Sequence, residues 1–159
     1  MIILAAGVGV WLGATVFLSF AVAPAAFAIL ESRHQAGDLV ARTLNILYLS
    51  GYILGPALVF VSVVTRPLAR PLLWRIRTIL LILMTASTVV SREFVGPKLL
   101  GLRLAMGTMI EQAPAGDPLR LFFQQWHQVS VLLVFFNIAT ATTVLVLIGY
   151  EEYRDSQGY

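Results

Sequence analysis

Cysteine is absent from the 159 residues, which removes disulfides, thiolate metal sites, iron–sulfur clusters and Cys nucleophiles together. Charge is scarce too. Only 12% of residues are Asp, Glu, Lys or Arg, against ~25% in an ordinary soluble domain. No basic stripe with interleaved aromatics lies outside the apolar segments, so nucleic-acid binding has no support. A phosphate-binding Gly loop, an HExxH pair and a Gly-x-Ser-x-Gly elbow are all missing, and the chain is not expected to be an enzyme. What remains is apolar: 58% of the residues are hydrophobic and the mean hydropathy is +0.85.

The first charged side chain is Glu31, and residues 2–30 are apolar or small apart from Thr15 and Ser19. A run this long exceeds the ~20 residues that cross a bilayer core and would leave its faces in water in an aqueous domain. Small residues over 21–28 resemble a signal-peptidase site. However, no Lys or Arg precedes the run, and it is longer than a ~7–15 residue signal core. It is therefore read as a first helix, with Pro24 as its kink. Further apolar blocks cover 39–64, 72–90 and 121–148. The expected fold is an all-α integral membrane protein, a single four-helix transmembrane bundle over 1–159. Its helices are expected near 2–30, 39–64, 72–95 and 119–149, with Asp38 capping the second. Leu99, Leu102, Met106, Met109 and Ile110 recur at helical spacing while Lys98, Arg103 and Glu111 lie off that stripe. This pattern predicts an amphipathic interfacial helix between helices 3 and 4, ended by Pro114, Gly116 and Pro118.

The segment 65–77 carries Arg66, Arg70, Arg75 and Arg77 and no acidic residue. The positive-inside rule makes it cytoplasmic, with both termini on the same side of a bacterial inner membrane. Gly9 with Gly13 and Gly51 with Gly55 make two small-xxx-small pairs that would bring helices 1 and 2 close. Arg42, Asn45, Leu49, Tyr52 and Pro56 share one helix face, as do His127, Ser130, Val134, Asn137 and Ala141. Both stripes are expected to face the bundle interior, because polar groups in lipid need protein partners.

Two constellations could carry chemistry. His34, His127, Met106 and Met109 are ligand types that suit Cu(I), and the two His could instead hold a haem. The plainer reading has His127 hydrogen-bonded to a neighbouring helix, His34 solvated and the methionines filling space. No cofactor is then needed, and this is the reading kept. Arg92 and Glu93 near the end of helix 3 could form a proton or cation relay with His127, or an ion pair with Arg92 snorkelling outward.

The pattern Trp11-Leu-Gly13, Ala23-Pro24 with Phe27, Gly96-Pro97, and Phe122-Phe-Gln-Gln-Trp-His127-Gln-Val-Ser130 with Asn137 resembles the transmembrane protein 205-like family. That is a family of small four-helix membrane proteins defined by a domain of unknown function. The resemblance implies the same fold and a distant similarity to membrane domains linked to copper resistance; animal members are associated with platinum-drug resistance. Two His and no Cys depart from richer metal sites. The sequence is therefore expected to encode a structural or accessory subunit surrounded by lipid and partner subunits of a larger membrane complex. The alternative is a small transporter or metal-handling protein acting through Arg42, Glu93 and His127.

Overall fold

The computed structural model describes residues 1–66, 71–106 and 116–157. Four helices fill them: α1 (Ile2–Ile29), α2 (Arg33–Val64), α3 (Pro71–Met106) and α4 (Pro118–Ser156). Each is long and apolar enough to cross a membrane, and no strand occurs among the described residues. Around the bundle the order is α1, α2, α3, α4, with α1 closing against α4. Chain direction alternates, so Met1, Val64, Pro71 and Ser156 share one end, called here the terminal end.

Several helix boundaries differ from those the apolar runs predict, among them the end of α4 at Ser156 rather than near 149. α2 begins six residues before Leu39, because Ser32 rather than Asp38 is the cap: its hydroxyl accepts from the backbone N–H of His34 at 3.1 Å and of Gln35 at 3.4 Å. Asp117 caps α4 in the same way, accepting from Leu119 N–H at 2.7 Å and Arg120 N–H at 3.3 Å. α3 does not stop at Val95 but runs on to Met106. Leu99, Leu102 and Met106 therefore belong to its last turns, and a separate interfacial helix does not begin at Lys98; Met109, Ile110, Glu111 and Pro114 lie outside the described residues.

Proline shapes α1 and α3. Pro24 has no N–H and its ring crowds the carbonyl four residues earlier. The helix absorbs this in a wide π-helical turn over Leu18–Val22, closed by a hydrogen bond from Ala23 N–H to the Leu18 carbonyl. Ahead of Pro97 the same device recurs over Ser91–Val95, with Gly96 N–H donating to the Ser91 carbonyl. Ala23-Pro24 and Gly96-Pro97 thus mark wide turns within continuous helices.

The main apolar core combines Leu4, Val8 and Trp11 from α1, Leu58 from α2, Leu81 and Met84 from α3, and Ala141, Val144 and Ile148 from α4. Close approach depends on glycine at particular places. A Cβ on Gly51 would collide with the Trp11 ring and come within 2.9 Å of Thr88 Cγ2; one on Gly55 would lie 2.6 Å from Thr85 Oγ1. Gly55 therefore admits α3, not α1. Gly9 and Gly13 have nothing within 4 Å of a built Cβ, so they are not packing contacts, and it is Gly7 that meets Leu58, at 2.6 Å. The inward stripe of α1 is Leu4, Val8, Trp11 and Thr15, which turns Gly9 and Gly13 outward. Gly51→Leu and Gly55→Leu are accordingly expected to cost ~1–3 kcal/mol by overpacking, while Gly9→Leu and Gly13→Leu should stay within ~0.5 kcal/mol. Unfolding in mixed micelles measures this, and equal losses at all four positions would remove the assignment.

Candidate functional site

Polar side chains gather at four levels of the bundle. At the terminal end, Arg77 is fully buried at 0% exposure and forms an ion pair with Glu151, itself 3% exposed. Arg77 Nε also donates to Ser62 Oγ at 3.3 Å, and Nη1 to Met1 Sδ at 3.4 Å. Ser62 Oγ lies 2.8 Å from Thr78 Oγ1, and Trp74 Nε1 donates to the Ser62 carbonyl at 2.7 Å. The Arg66 guanidinium sits 4.8 Å over the Trp74 ring. Arg77 is therefore not a loop arginine. α3 starts at Pro71, so Arg77 already stands on its inward stripe with Leu81, Met84 and Thr88.

Asn137, the central residue of α4, ties three helices together. Trp11 Nε1 donates to its Oδ1 at 3.0 Å, and its Nδ2 donates to Ser87 Oγ. Ser87 Oγ in turn donates to the Met84 carbonyl at 2.9 Å. The Trp11 ring lies against Gly51 of α2, so one indole touches both α2 and α4.

The third level faces outward. Arg92 Nε donates to Asn45 Oδ1 at 3.2 Å, and Nη1 to Glu93 Oε1 at 3.2 Å. Tyr52 OH donates to the same Glu93 oxygen at 2.6 Å, and the Arg92 guanidinium lies 4.9 Å over the Tyr52 ring. These side chains form a lateral seam between α2 and α3, with the Arg92 and Glu93 side chains 29% and 51% exposed. Arg42, Asn45, Leu49 and Pro56 are exposed and Tyr52 is half-buried. The stripe expected inside is therefore outside, and the inward positions of α2 are Gly51, Gly55, Leu58 and Ser62. Glycine holds two of them because α1 and α3 come so close.

At the far end, His34 Nε2 lies 3.6 Å from Asp38 Oδ2, and Arg103 Nη1 donates to Asp38 Oδ1 at 2.8 Å. The Arg103 guanidinium lies against Gly37, where a Cβ would come within 2.9 Å of Nη2. It also lies 5.9 Å from the centre of the Phe123 ring, which stacks nearly parallel on His127 at 6.2 Å. His34 and His127 thus share an end of the bundle but converge on no common point, and a cation stands between them. The described residues contain no group of three or more His, Cys, Asp or Glu that could hold a metal. Met106 ends α3 and Met109 lies outside the described residues.

Of the second stripe, Asn137 and Ala141 are buried, Ser130 and Val134 half-buried, and His127 exposed. Glu93 bonds Tyr52 and Arg92 rather than His127, so the relay is not assembled. The Arg77–Glu151 pair went unread in the sequence, although Glu151 continues the spacing of Asn137, Ala141, Val144 and Ile148 by one more step.

A family defined by a Domain of unknown function (DUF4149) matches residues 6–108, taking in most of α1 and all of α2 and α3. The match ends before α4 and its Phe122-to-Ser130 segment, and it does not name the narrower transmembrane protein 205-like family. No curated protein and no solved structure matches the chain.

Proposed function

We propose that this chain, which belongs to the family defined by the domain of unknown function DUF4149, is a non-enzymatic accessory subunit that packs against a larger membrane protein through the outward seam of α2 and α3. The supporting observation is the lateral placement of Arg92, Glu93, Tyr52 and Asn45. Arg92 is five residues beyond Ser87 and Asn45 six before Gly51, so at ~1.5 Å per residue the seam lies ~8–9 Å from the central Asn137 level. A hydrocarbon core extends ~15 Å either side of its middle. A charged group facing acyl chains costs ~2.5–3.5 kcal/mol at the bilayer centre and less toward the interface, and membrane proteins turn such groups toward protein. A neighbouring subunit supplies the missing cover.

Transport through Arg42, Glu93 and His127 has less support, because Arg42 and Glu93 lie on the outer surface while His127 stacks on Phe123 at the far end. A photo-crosslinking residue placed at Leu49, on the seam face, should capture one defined membrane protein in cells. The same residue at Val146, exposed on α4, should capture none, and Glu93→Leu should abolish the Leu49 product. A Leu49 pattern identical to that from Val146, or unchanged by Glu93→Leu, would refute the reading.

A further inference from the structure

The hydrogen-bonding groups that the seam leaves open specify the chemistry of whatever covers it. Glu93 Oε1 takes both donors that reach the carboxylate, Tyr52 OH and Arg92 Nη1, so Oε2 accepts nothing among the described residues. Arg92 uses Nε on Asn45 and Nη1 on Glu93, and neither its Nη2 nor Asn45 Nδ2 has an acceptor among them. The cluster therefore offers one open acceptor and two open donors.

Charge narrows the choice. Arg92 and Glu93 already neutralise each other at 3.2 Å, and a third charge on the partner would stand uncompensated ~8–9 Å from the central level, inside the hydrocarbon. Arg42 on the same face does not alter this. Nine residues from Gly51, it lies ~13–14 Å out, where its long side chain reaches the headgroups. The facing group is then neutral and carries a donor and an acceptor. A hydroxyl has a single proton, and helical hydroxyls in this chain spend it at home: Thr43, Ser50, Thr85, Thr88 and Ser91 each donate to the carbonyl four residues back. A carboxamide has two donor hydrogens and a separate oxygen. Inside the bundle Asn137 already bridges two helices in this way, accepting from Trp11 of α1 and donating to Ser87 of α3.

We propose that the neighbouring membrane protein meets the seam with an Asn or Gln side chain on a transmembrane helix, its amide donating to Glu93 Oε2 and its oxygen accepting from Arg92 Nη2 or Asn45 Nδ2. This rests on the reading that a protein covers the seam, and the test separates the two. The photo-crosslinker at Leu49 is combined with paired substitutions. Arg92→Gln with Glu93→Gln removes both charges but keeps a donor and an acceptor at each position, so capture should stay within about twofold of wild type. Arg92→Leu with Glu93→Leu is equally neutral and offers neither. Its capture should fall roughly tenfold, at a factor of about three to fifteen for each interhelical hydrogen bond lost. Peptide mapping of the wild-type product should place the crosslink within one helical turn of an Asn or Gln in the partner, and changing that residue to Leu should reproduce the loss. Circular dichroism identifies any variant that fails to fold, and the substitution in the partner carries the same test with this chain unaltered. Loss of capture by the folded Gln pair, capture unchanged by the Leu pair, or a charged side chain at the mapped contact would each overturn the carboxamide while leaving a protein at the seam. A wild-type chain that captures no protein, or only a second copy of itself, would remove the accessory-subunit reading and the carboxamide with it.

Discussion

Glu151→Leu is expected to destabilise the bundle by ~3–5 kcal/mol, because it leaves the fully buried Arg77 without its counter-charge. Arg77→Met alone should also destabilise the bundle, because it takes the buried counter-charge from the Glu151 carboxylate. Removing both together is different. A well-packed apolar replacement of a buried pair is often neutral or better, so the Arg77→Met, Glu151→Leu double variant should recover most of the loss. The remaining cost would come from Ser62 Oγ and Met1 Sδ, which lose their shared donor. Equilibrium unfolding in mixed micelles, followed by tryptophan emission, reads all three variants. A double variant no better than either single one would show that the pair is not the source of the effect.

Trp11→Ala is the other large expected loss, ~3–5 kcal/mol from an emptied core position. The indole is 4% exposed, fits the hollow over Gly51 and Thr88, and donates to Asn137. Trp11→Phe keeps most of the ring and gives up the donor, so it should cost nearer ~1 kcal/mol, in line with a single hydrogen bond within a membrane bundle. Asn137→Leu tests the same junction from the other side by leaving the Trp11 donor and the Ser87 hydroxyl without that amide. In the same unfolding assay, a Trp11→Phe loss as large as that of Trp11→Ala would mean that the hydrogen bond, not the ring volume, holds the junction.

The apolar runs made four helices legible because lipid-facing and core-facing positions are both hydrophobic, which leaves long uninterrupted segments. Their ends were harder to read. Ser32 and Asp38 are both good caps by residue type, and only the backbone path shows that Ser32 is the one in use. Pro97, unlike Pro24, misled for a related reason. A π-turn lets a helix pass a missing N–H without stopping, so Gly96-Pro97 looked like an end and is an interior turn.

At the level of sites, the rule that polar groups face inward placed Asn137 inside and failed for Asn45 and Tyr52. Two requirements competed for the inner face of α2. Close approach by α1 and α3 demanded Gly51 and Gly55 there, and the polar stripe was left on the outside. Arg77 was misassigned because a cluster of arginines reads as loop under the positive-inside rule, which counts charge without knowing where the helix begins. The matching acid was visible at Glu151, one step beyond the inward spacing of α4, but a partner across 74 residues of sequence is shown only by the fold.

The apolar cluster built on Leu4, Val8, Leu58, Leu81 and Ile148 lies mostly in the terminal half of the bundle and reaches Trp11 at the central level. Beyond the wide turns, buried hydrophobic contacts thin to Ala26, Ala36, Val95 and Leu102, and much of the remaining cohesion is polar, through Asp38 and Arg103. Local opening free energy follows the density of buried apolar contact. The two halves therefore differ in how readily they breathe. Amides of the terminal half are therefore expected to exchange only with global unfolding and those of the far half, which carries the seam, by local opening, a difference that hydrogen exchange measures.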